Sequence, residues 1–282
     1  MLDFTGDNVK SIKVRLYFCL LCNRVEGEYR MKLRVLGSAG AELPDFRPPA
    51  FLIDESLLLD AGTIGAVLTE EEQWRLQHIF ITHSHLDHIR SIPALADNII
   101  IKNLRHSVSV YSIPEVMDAL RQHLFNNIIW PDFTVIPDAD RPVLSFVTID
   151  SGIEYAVNGY SIRALPVNHT VPAVGYRVCS GATTLLYTGD TGPTEEIWQY
   201  ASGIDALIVE VSFPNAMEPL AQITKHLTST LLSAELKKIP VLPKRILITH
   251  PKPQYYDIIR SEIEALGLKQ IELLHDGAEF EL

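Results

Sequence analysis

The stretch THSHLDH, residues 82–88, constrains this chain more than any other feature of its sequence. It directly follows an apolar run that predicts a buried strand. His83 and His85 are two positions apart, so in an extended turn both point to the same side. Asp87 and His88 follow one turn later, at the predicted start of a helix. One short segment therefore offers two sets of ligands that point in different directions, which suits two metal ions better than one.

The ligand types in this segment favour a hydrolytic metal site over a structural one. Zinc binds neutral imidazole nitrogen and carboxylate oxygen, and catalytic sites keep a position open for water. The segment contains no cysteine, and the pair Cys19 and Cys22 has no second pair to complete a four-cysteine site. Asp190, in a glycine-flanked turn after LLYTG, is the natural carboxylate to bridge two ions. The alternative role for Asp190 is to cap its own turn.

The remaining pattern from residue 32 onward predicts a single α/β domain in which helices cover the sheets. Short β-rich runs predict strands at Lys32–Leu36, Leu57–Leu59, His78–Ile81, Val108–Tyr111, Leu144–Ile149, Ser161–Pro166, Thr183–Tyr187, Ala206–Glu210 and Arg245–Ile248. Helices are predicted at Thr69–Gln77, Pro114–Phe125, Thr194–Ala201, Thr228–Lys238 and Pro253–Leu266. Asp60, His83, Asp190 and His250 each follow a predicted strand, and strand ends are where rigid sites are built.

Charge and hydropathy limit the partners that we expect. The formal net charge is -11 and no apolar stretch approaches the ~20 residues that span a bilayer. A protein that grips long nucleic acid usually shows a basic surface. We therefore expect a small-molecule substrate, no large nucleic acid and no membrane. The oligomeric state stays open, with a homodimer as the commonest arrangement.

Residues 1–30 are expected to form a loosely held extension in front of a catalytic domain of residues 31–282. Basic residues precede the short apolar run Leu16–Cys22, as in a signal peptide, but no small-residue cleavage site follows. We therefore expect a cytoplasmic protein.

Five segments, in this order along Lys32–Leu282, resemble the metallo-β-lactamase superfamily. They are LLLDAGT, THSHLDH, LPVNHTVPAVGYRV, YTGDTGP and ILITHPKP. The resemblance implies a four-layered αββα sandwich with the metals at one rim. It assigns one metal to His83, His85 and His169, and a second metal to Asp87, His88 and His250. Asp190 would bridge the two ions, and Asp60 would orient a ligand histidine from behind. Zinc is the expected metal, and manganese or iron also suits such ligands.

Three further segments resemble the class II cyclic-nucleotide phosphodiesterases: HLDHIRSIPAL, LRQHLFNNIIWPDFT and VEVSFPNAMEPLAQITKHLTS. The resemblance implies hydrolysis of a 3′,5′-cyclic nucleotide to the 5′-monophosphate by a metal-bridging hydroxide. Two departures concern the substrate: the family's Gly-Gly reads GSAG here, and its proline after HLT is Ser229. Cyclic AMP and cyclic GMP are not distinguished.

His226, in KHLTS, is the predicted general acid, because the leaving alkoxide needs a proton. The alternative is that His226 caps the helix that starts near Thr228. Asp87 could share the proton transfer. Trp130, with His123, could form a wall against the nucleobase, although a core role is as good an interpretation.

Three other functions stay open on the same fold. A tRNA 3′-processing endoribonuclease would use the same metals, but normally needs a basic arm or surface. A hydrolase of another ester, such as a lactone, fits the SFPN and HLT segments less well. A non-enzymatic nucleotide-binding protein would be expected to lack ligands, whereas all seven are present.

Overall fold

The structure is a computed structural model that describes residues 30–102 and 105–282. The predicted extension, with the pair Cys19 and Cys22 and the run Leu16–Cys22, lies outside the described residues apart from Arg30, so the loose extension stays a prediction. Among the residues that are described, no helix has both the length and the apolar character needed to cross a bilayer.

The strands of the described chain form two seven-stranded sheets. They are β1 (Lys32–Gly37), β2 (Ala50–Ile53), β3 (Leu57–Leu59), β4 (His78–Phe80), β5 (Val108–Ser112), β6 (Leu144–Thr148), β7 (Glu154–Val157), β8 (Tyr160–Pro166), β9 (Val174–Ser180), β10 (Thr183–Tyr187), β11 (Ala206–Glu210), β12 (Arg245–Thr249), β13 (Ile271–Leu273) and β14 (Glu279–Glu281). The first sheet has the order β14-β1-β2-β3-β4-β5-β6, and the second has the order β13-β12-β11-β10-β9-β8-β7.

Short helices connect and cover these strands. The α-helices are α1 (Glu70–Gln73), α2 (Leu86–Ile89), α3 (Ile92–Ile101), α4 (Pro114–Ala119), α5 (Glu218–Thr224), α6 (Ser229–Leu236) and α7 (Tyr256–Glu264). A π-helical turn, Leu120–Leu124, continues α4, and 3₁₀ turns cover Glu196–Tyr200, Asn215–Met217 and Pro253–Tyr255.

Strand β11 shows why the molecule has four layers, because both of its faces are buried. Ile208 belongs to the core between the two sheets, where the rings of Phe51 and Tyr187 meet with their centroids 4.9 Å apart. Leu207 and Val209 face a second core under α6 and α7. A strand that is apolar on both faces needs a sheet on one side and helices on the other. The predicted αββα sandwich is confirmed.

Parallel pairing brings the functional strand ends to one rim. β3, β4, β5 and β6 run parallel to one another, as do β10, β11, β12 and β13. Strand β8 runs in the same direction as β10, because both pair antiparallel with β9. The segments after β3, β4, β8, β10, β11 and β12 carry Asp60, the seven candidate ligands and His226.

Every predicted strand is present within about two residues, but several elements were missed. These are β2, β7, β9, β13 and β14 together with α3 and α5. Most of the missed strands are only three or four residues long, too short to show an alternating pattern. Helix α3 carries Pro93 in its first turn, a position where proline is tolerated although it suggests a break in the sequence. The predicted helix Thr194–Ala201 is a 3₁₀ turn, and Thr69–Gln77 shortens to α1 with Thr69 as its N-cap.

Candidate metal centre

All seven predicted ligands lie together at the rim. Their metal-ligating atoms form two groups, and within each group every atom is within 4.8 Å of the others. The first group is His83, His85, His169 and Asp190, and the second is Asp87, His88 and His250. Asp190 and His250 also form a group of this kind with His226.

In the first group, the ring nitrogens of the three histidines lie close together. His85 Nδ1 lies 3.0 Å from His83 Nε2 and 3.2 Å from His169 Nε2. Asp190 Oδ2 is 3.7 Å from His83 Nε2. Bare ring nitrogens at this separation are well placed to share a single cation.

The second group approaches the same carboxylate oxygen. Asp190 Oδ2 is 3.4 Å from His88 Nε2 and 3.2 Å from His250 Nε2. Asp87 Oδ2 is 3.5 Å from His250 Nε2 and 3.9 Å from His88 Nε2. Asp190 therefore stands between the two groups, as the bridging role predicts.

A tight turn places Asp190 in this position. Gly189 before it has a φ of +62°, which favours glycine. A Cβ on Gly189 would also lie 2.8 Å from the side chain of Thr82. The turn after β10 thus packs directly on the segment after β4, and this contact brings the ligands of the two sheets together.

Asp60 lies behind His88, at the centre of a buried network. One oxygen of Asp60 accepts from the Thr82 N–H at 2.8 Å, and the other lies 2.7 Å from His88 Nδ1 and accepts from the Tyr187 hydroxyl at 2.7 Å. A carboxylate at Nδ1 keeps the proton on that nitrogen and turns Nε2 toward the metal position. Sequence reasoning found Asp60 but missed Tyr187, which appears in the sequence only as the end of an apolar strand.

A backbone cradle holds His250. This residue has a φ of +65°, and its N–H donates to Ser38 O at 2.6 Å. A Cβ on Gly40 would lie 2.5 Å from His250 Nδ1. The altered glycine segment GSAG therefore still has a glycine where the ring of the histidine requires one. The Ser212 hydroxyl lies 2.8 Å from His250 Nδ1 and again turns Nε2 toward the metal position.

The charges in the site suit a cation. Burial lowers the pKa of His83, His85 and His169, so these rings are neutral. Burial alone would raise the pKa of Asp190, but the neighbouring His250 and His88 hold it well below its usual range. For His88, burial alone would lower the pKa, but the carboxylates of Asp190 and Asp60 outweigh it and raise the pKa. Carboxylate oxygens and the neutral nitrogens of His83, His85 and His169 form a donor set for a divalent metal.

Two orphaned atoms show that the residues fit a metal. His88 Nε2 and His250 Nε2 are buried and have no hydrogen-bond partner among the described residues. A buried polar atom without a partner costs about 1–3 kcal/mol. Both atoms point at the same carboxylate oxygen, and five imidazoles with two carboxylates and no thiolate match zinc, manganese or iron. The identity and number of the ions stay a prediction.

His226 stands beside both groups and has its own buried partner. Its Nδ1 lies 2.7 Å from Glu210 Oε1, and its ring centroid is 5.1 Å from that of His169 and 5.4 Å from that of His250. Helix α6 is capped instead by Thr228, whose hydroxyl accepts from the Leu231 N–H. The capping alternative for His226 is therefore wrong.

Glu210 decides the charge of His226. Burial alone would lower the pKa of His226, but the negative charge and hydrogen bond of Glu210 outweigh it and raise the pKa. The Glu210 side chain is fully buried and also accepts from the Thr191 N–H and the Ser212 hydroxyl. Sequence reasoning missed this role, although an acid at the end of the apolar run ALIVE was a usable signal.

The remaining candidates occupy different surroundings. Trp130 is partly buried and packs against the larger apolar core, and His123 is exposed in the π-helical turn. Their role as a wall against a base stays a prediction. Ser229, which replaces the family's proline, is buried, and its hydroxyl bonds Asn215 Oδ1 at 2.9 Å and Glu262 Oε2 at 3.0 Å. The serine thus ties the SFPN segment to α6 and α7.

Comparison with known proteins agrees with this geometry. Residues 58–250 match the family model described as the Beta-lactamase superfamily domain. The chain is 36% identical to 3′,5′-cyclic-nucleotide phosphodiesterase 1 of Saccharomyces cerevisiae, over 74% of this chain and 70% of the relative. It is 24% identical to a Ribonuclease Z of Haloferax volcanii, over 89% of this chain and 92% of the relative. The metallo-beta-lactamase fold protein YhfI of Bacillus subtilis has a similar structure, with a TM-score of 0.73 at 19% identity over 90% of this chain and all of that one. The chain therefore belongs to the metallo-β-lactamase superfamily of metal-dependent hydrolases.

Proposed function

We propose that the protein is a phosphodiesterase that hydrolyses a 3′,5′-cyclic nucleotide to the 5′-monophosphate. The observation that carries the proposal is the pair Glu210 and His226, in which a buried carboxylate raises the pKa of a histidine beside the candidate metal ligands. A phosphodiester needs both parts, because it carries negative charge and expels a basic alkoxide.

The seven ligands would hold two divalent ions, most simply zinc. Bound ions of this kind lower the pKa of water and neutralise negative charge on phosphoryl oxygens. The chain's own work is to fix the ligand atoms. Asp60, through the side chain of His88, and Ser38, through the backbone of His250, hold their ligands before any substrate arrives.

His226 would protonate the leaving oxygen. Water adds to phosphorus, the bond from phosphorus to the ribose 3′-oxygen breaks, and that oxygen takes the proton from His226 Nε2. Glu210 keeps the other ring nitrogen protonated, so Nε2 is the nitrogen that gives up and regains the proton. The proton that the water gives up would pass to Asp87, whose carboxylate is ionised because His250 and His88 overcome the effect of burial and lower its pKa.

The small substrate is favoured by two observations. The relative with 36% identity is named as a cyclic-nucleotide phosphodiesterase, and the net charge of -11 disfavours long polyanions. A tRNA 3′-processing activity is the second candidate, because Ribonuclease Z relatives align over most of the chain. That reaction would use the same ligands and the same proton donor.

One assay separates the candidates. The purified zinc-loaded protein is incubated in parallel with cyclic AMP, cyclic GMP, bis(p-nitrophenyl) phosphate and a tRNA precursor. We expect turnover of at least one cyclic nucleotide to its 5′-monophosphate. Cleavage of the tRNA precursor without any cyclic-nucleotide turnover would replace the proposal with the second candidate.

A further inference from the structure

Lys225 and His169 are joined by two hydrogen bonds that run in opposite directions. The Lys225 ammonium donates to His169 O at 2.7 Å. His169 Nδ1 lies 3.1 Å from Lys225 O and is the donor in that contact, since a carbonyl only accepts. One residue thus holds both the main chain and the ring of a predicted metal ligand.

The backbone of Lys225 is adapted to this contact. Lys225 ends α5 in the left-handed conformation, with φ 53° and ψ 54°. That region favours glycine, and another residue adopts it at a cost in free energy. Its N–H group bonds back to the carbonyls of Ala221 and Gln222, so the reversal of the chain is fixed by α5. The reversal points the Lys225 carbonyl at the histidine ring.

Packing leaves this segment little freedom to move. A Cβ on Gly192 would lie 3.1 Å from Lys225 Cα, so the segment after Asp190 packs against it. Gly192 N–H also donates to Asn168 O at 2.8 Å, next to His169. Lys225 therefore closes a three-way contact between the segments that carry Asp190, His169 and His226.

We propose that Lys225 is a positioning residue for the first metal group. Its carbonyl fixes the proton of His169 on Nδ1, so that the lone pair of Nε2 faces His85, and its ammonium anchors the His169 backbone. Because His226 is the next residue, the two hydrogen bonds between Lys225 and His169 also set the distance between His169 and the proposed proton donor. The inference rests on the metal centre of the proposed function but not on its substrate.

The test is a zinc titration of the full-length protein against a chromophoric chelator. Lys225→Met removes the ammonium, Lys225→Gly removes it and also relieves the left-handed conformation, and Lys225→Arg restores a cation. Lys237→Met, an exposed lysine at the end of α6, is the matched control. Loss of an outer contact to a metal ligand typically weakens affinity by about 10–100-fold. We expect a loss of about tenfold for one zinc ion in the Met and Gly variants, partial recovery with arginine, and no change in the control.

Thermal unfolding of the zinc-free proteins separates positioning from folding. Lys225→Gly should unfold at or above the wild-type temperature while binding zinc more weakly. The proposal would be overturned if Lys225→Met and Lys225→Gly both kept the wild-type zinc affinity. It would also be overturned if only Lys225→Met lost zinc affinity. If the wild type itself binds no zinc, the metal centre of the proposed function is wrong, and the positioning role of Lys225 is wrong as well.

Discussion

His226 is the proposed proton donor, and the protein holds one of its two ring nitrogens. Nδ1 is tied to the buried Glu210 carboxylate, and the ring lies against the rings of His169 and His250. The first nitrogen is fixed by the protein, so only the second is available for proton exchange with a substrate. The arrangement would suit a general acid, because Glu210 sets the tautomer of His226 and raises its pKa.

His226→Ala should lower kcat for a cyclic nucleotide by about 10²–10⁴-fold, the usual contribution of general acid catalysis. A p-nitrophenyl ester should lose far less, because its leaving group needs little protonation. Zinc content, measured by mass spectrometry of the metal, should stay at the wild-type value. Equal losses on both substrates would assign His226 to substrate positioning instead.

Asp190→Ala should remove activity and lower the metal content. Asp190 Oδ2 lies within 3.7 Å of the three ring nitrogens from His83, His88 and His250, so its loss leaves the two ligand groups without the anion between them. The check is metal analysis after dialysis at a fixed free zinc concentration. A variant with two full equivalents of zinc and normal turnover would contradict the bridging role.

The sequence predicted the candidate metal ligands better than it predicted the residues that hold the candidate ligands and His226 in place. Each ligand follows a recognisable strand, so its position at the rim could be inferred from local pattern and resemblance. The partners of Glu210, Tyr187 and Lys225 are distant in the sequence. The sequence around the end of a strand or helix is the same whether or not such a partner packs against it. Their roles depend on the packing of one segment on another, which no local pattern contains.

At the scale of elements, the site depends on how closely the segments after the strands approach one another. The glycine segment after β1 presses Gly40 against His250, and the turn after β10 presses Gly189 against Thr82. Nine strands were predictable from short β-rich runs bounded by turn residues, although β3 and β4 are only three residues long. The edge strand β14 was not, because its residues pair only with β1 and lie half-exposed or exposed.

Gly40→Ala should damage the second ligand group. The added Cβ would lie 2.5 Å from His250 Nδ1 and 2.6 Å from His250 O, so the ring or the backbone must shift. Overpacking of this kind typically costs about 1–3 kcal/mol of unfolding free energy. Denaturant unfolding and zinc titration should both show the change.

Gly65→Ala is the matched control for that variant. The nearest atom to its added Cβ would be Gln73 Nε2 at 3.8 Å, an ordinary contact. Its unfolding free energy should stay within about 0.5 kcal/mol of the wild type, as for most innocuous substitutions. If both variants behave alike, the close contact with His250 does not constrain the site.

At the scale of the whole molecule, the metal centre lies at the seam between the two sheets. Thr82 and His83 follow a strand of the first sheet, whereas Asp190 and His250 follow strands of the second. Bound metal would therefore connect the halves of the sandwich. The family and the fold were predictable from ordered motifs, but the choice between a cyclic nucleotide and tRNA depends on surfaces that the motifs do not describe.

Removal of the metal should lower the thermal stability of the protein. A ligand present at a thousand times its dissociation constant stabilises the folded state by about 4 kcal/mol. At about 2–4 °C per kcal/mol for a chain near this size, a strong chelator should lower Tm by roughly 10 °C. Differential scanning calorimetry with and without chelator measures the shift. The Asp190→Ala protein should show little chelator effect, and an equal shift in that variant would speak against this origin.

The split of the ligands between the two sheets also has a consequence during protein synthesis. A growing chain exposes the THSHLDH segment, which follows β4, long before the ribosome has made β12 and His250. Until then the cluster has fewer than its full set of partners, however much zinc surrounds it. Metal held by all seven ligands would therefore have to wait for the last strands, and a chain that stops before His250 would carry the THSHLDH motif without its full set of partners.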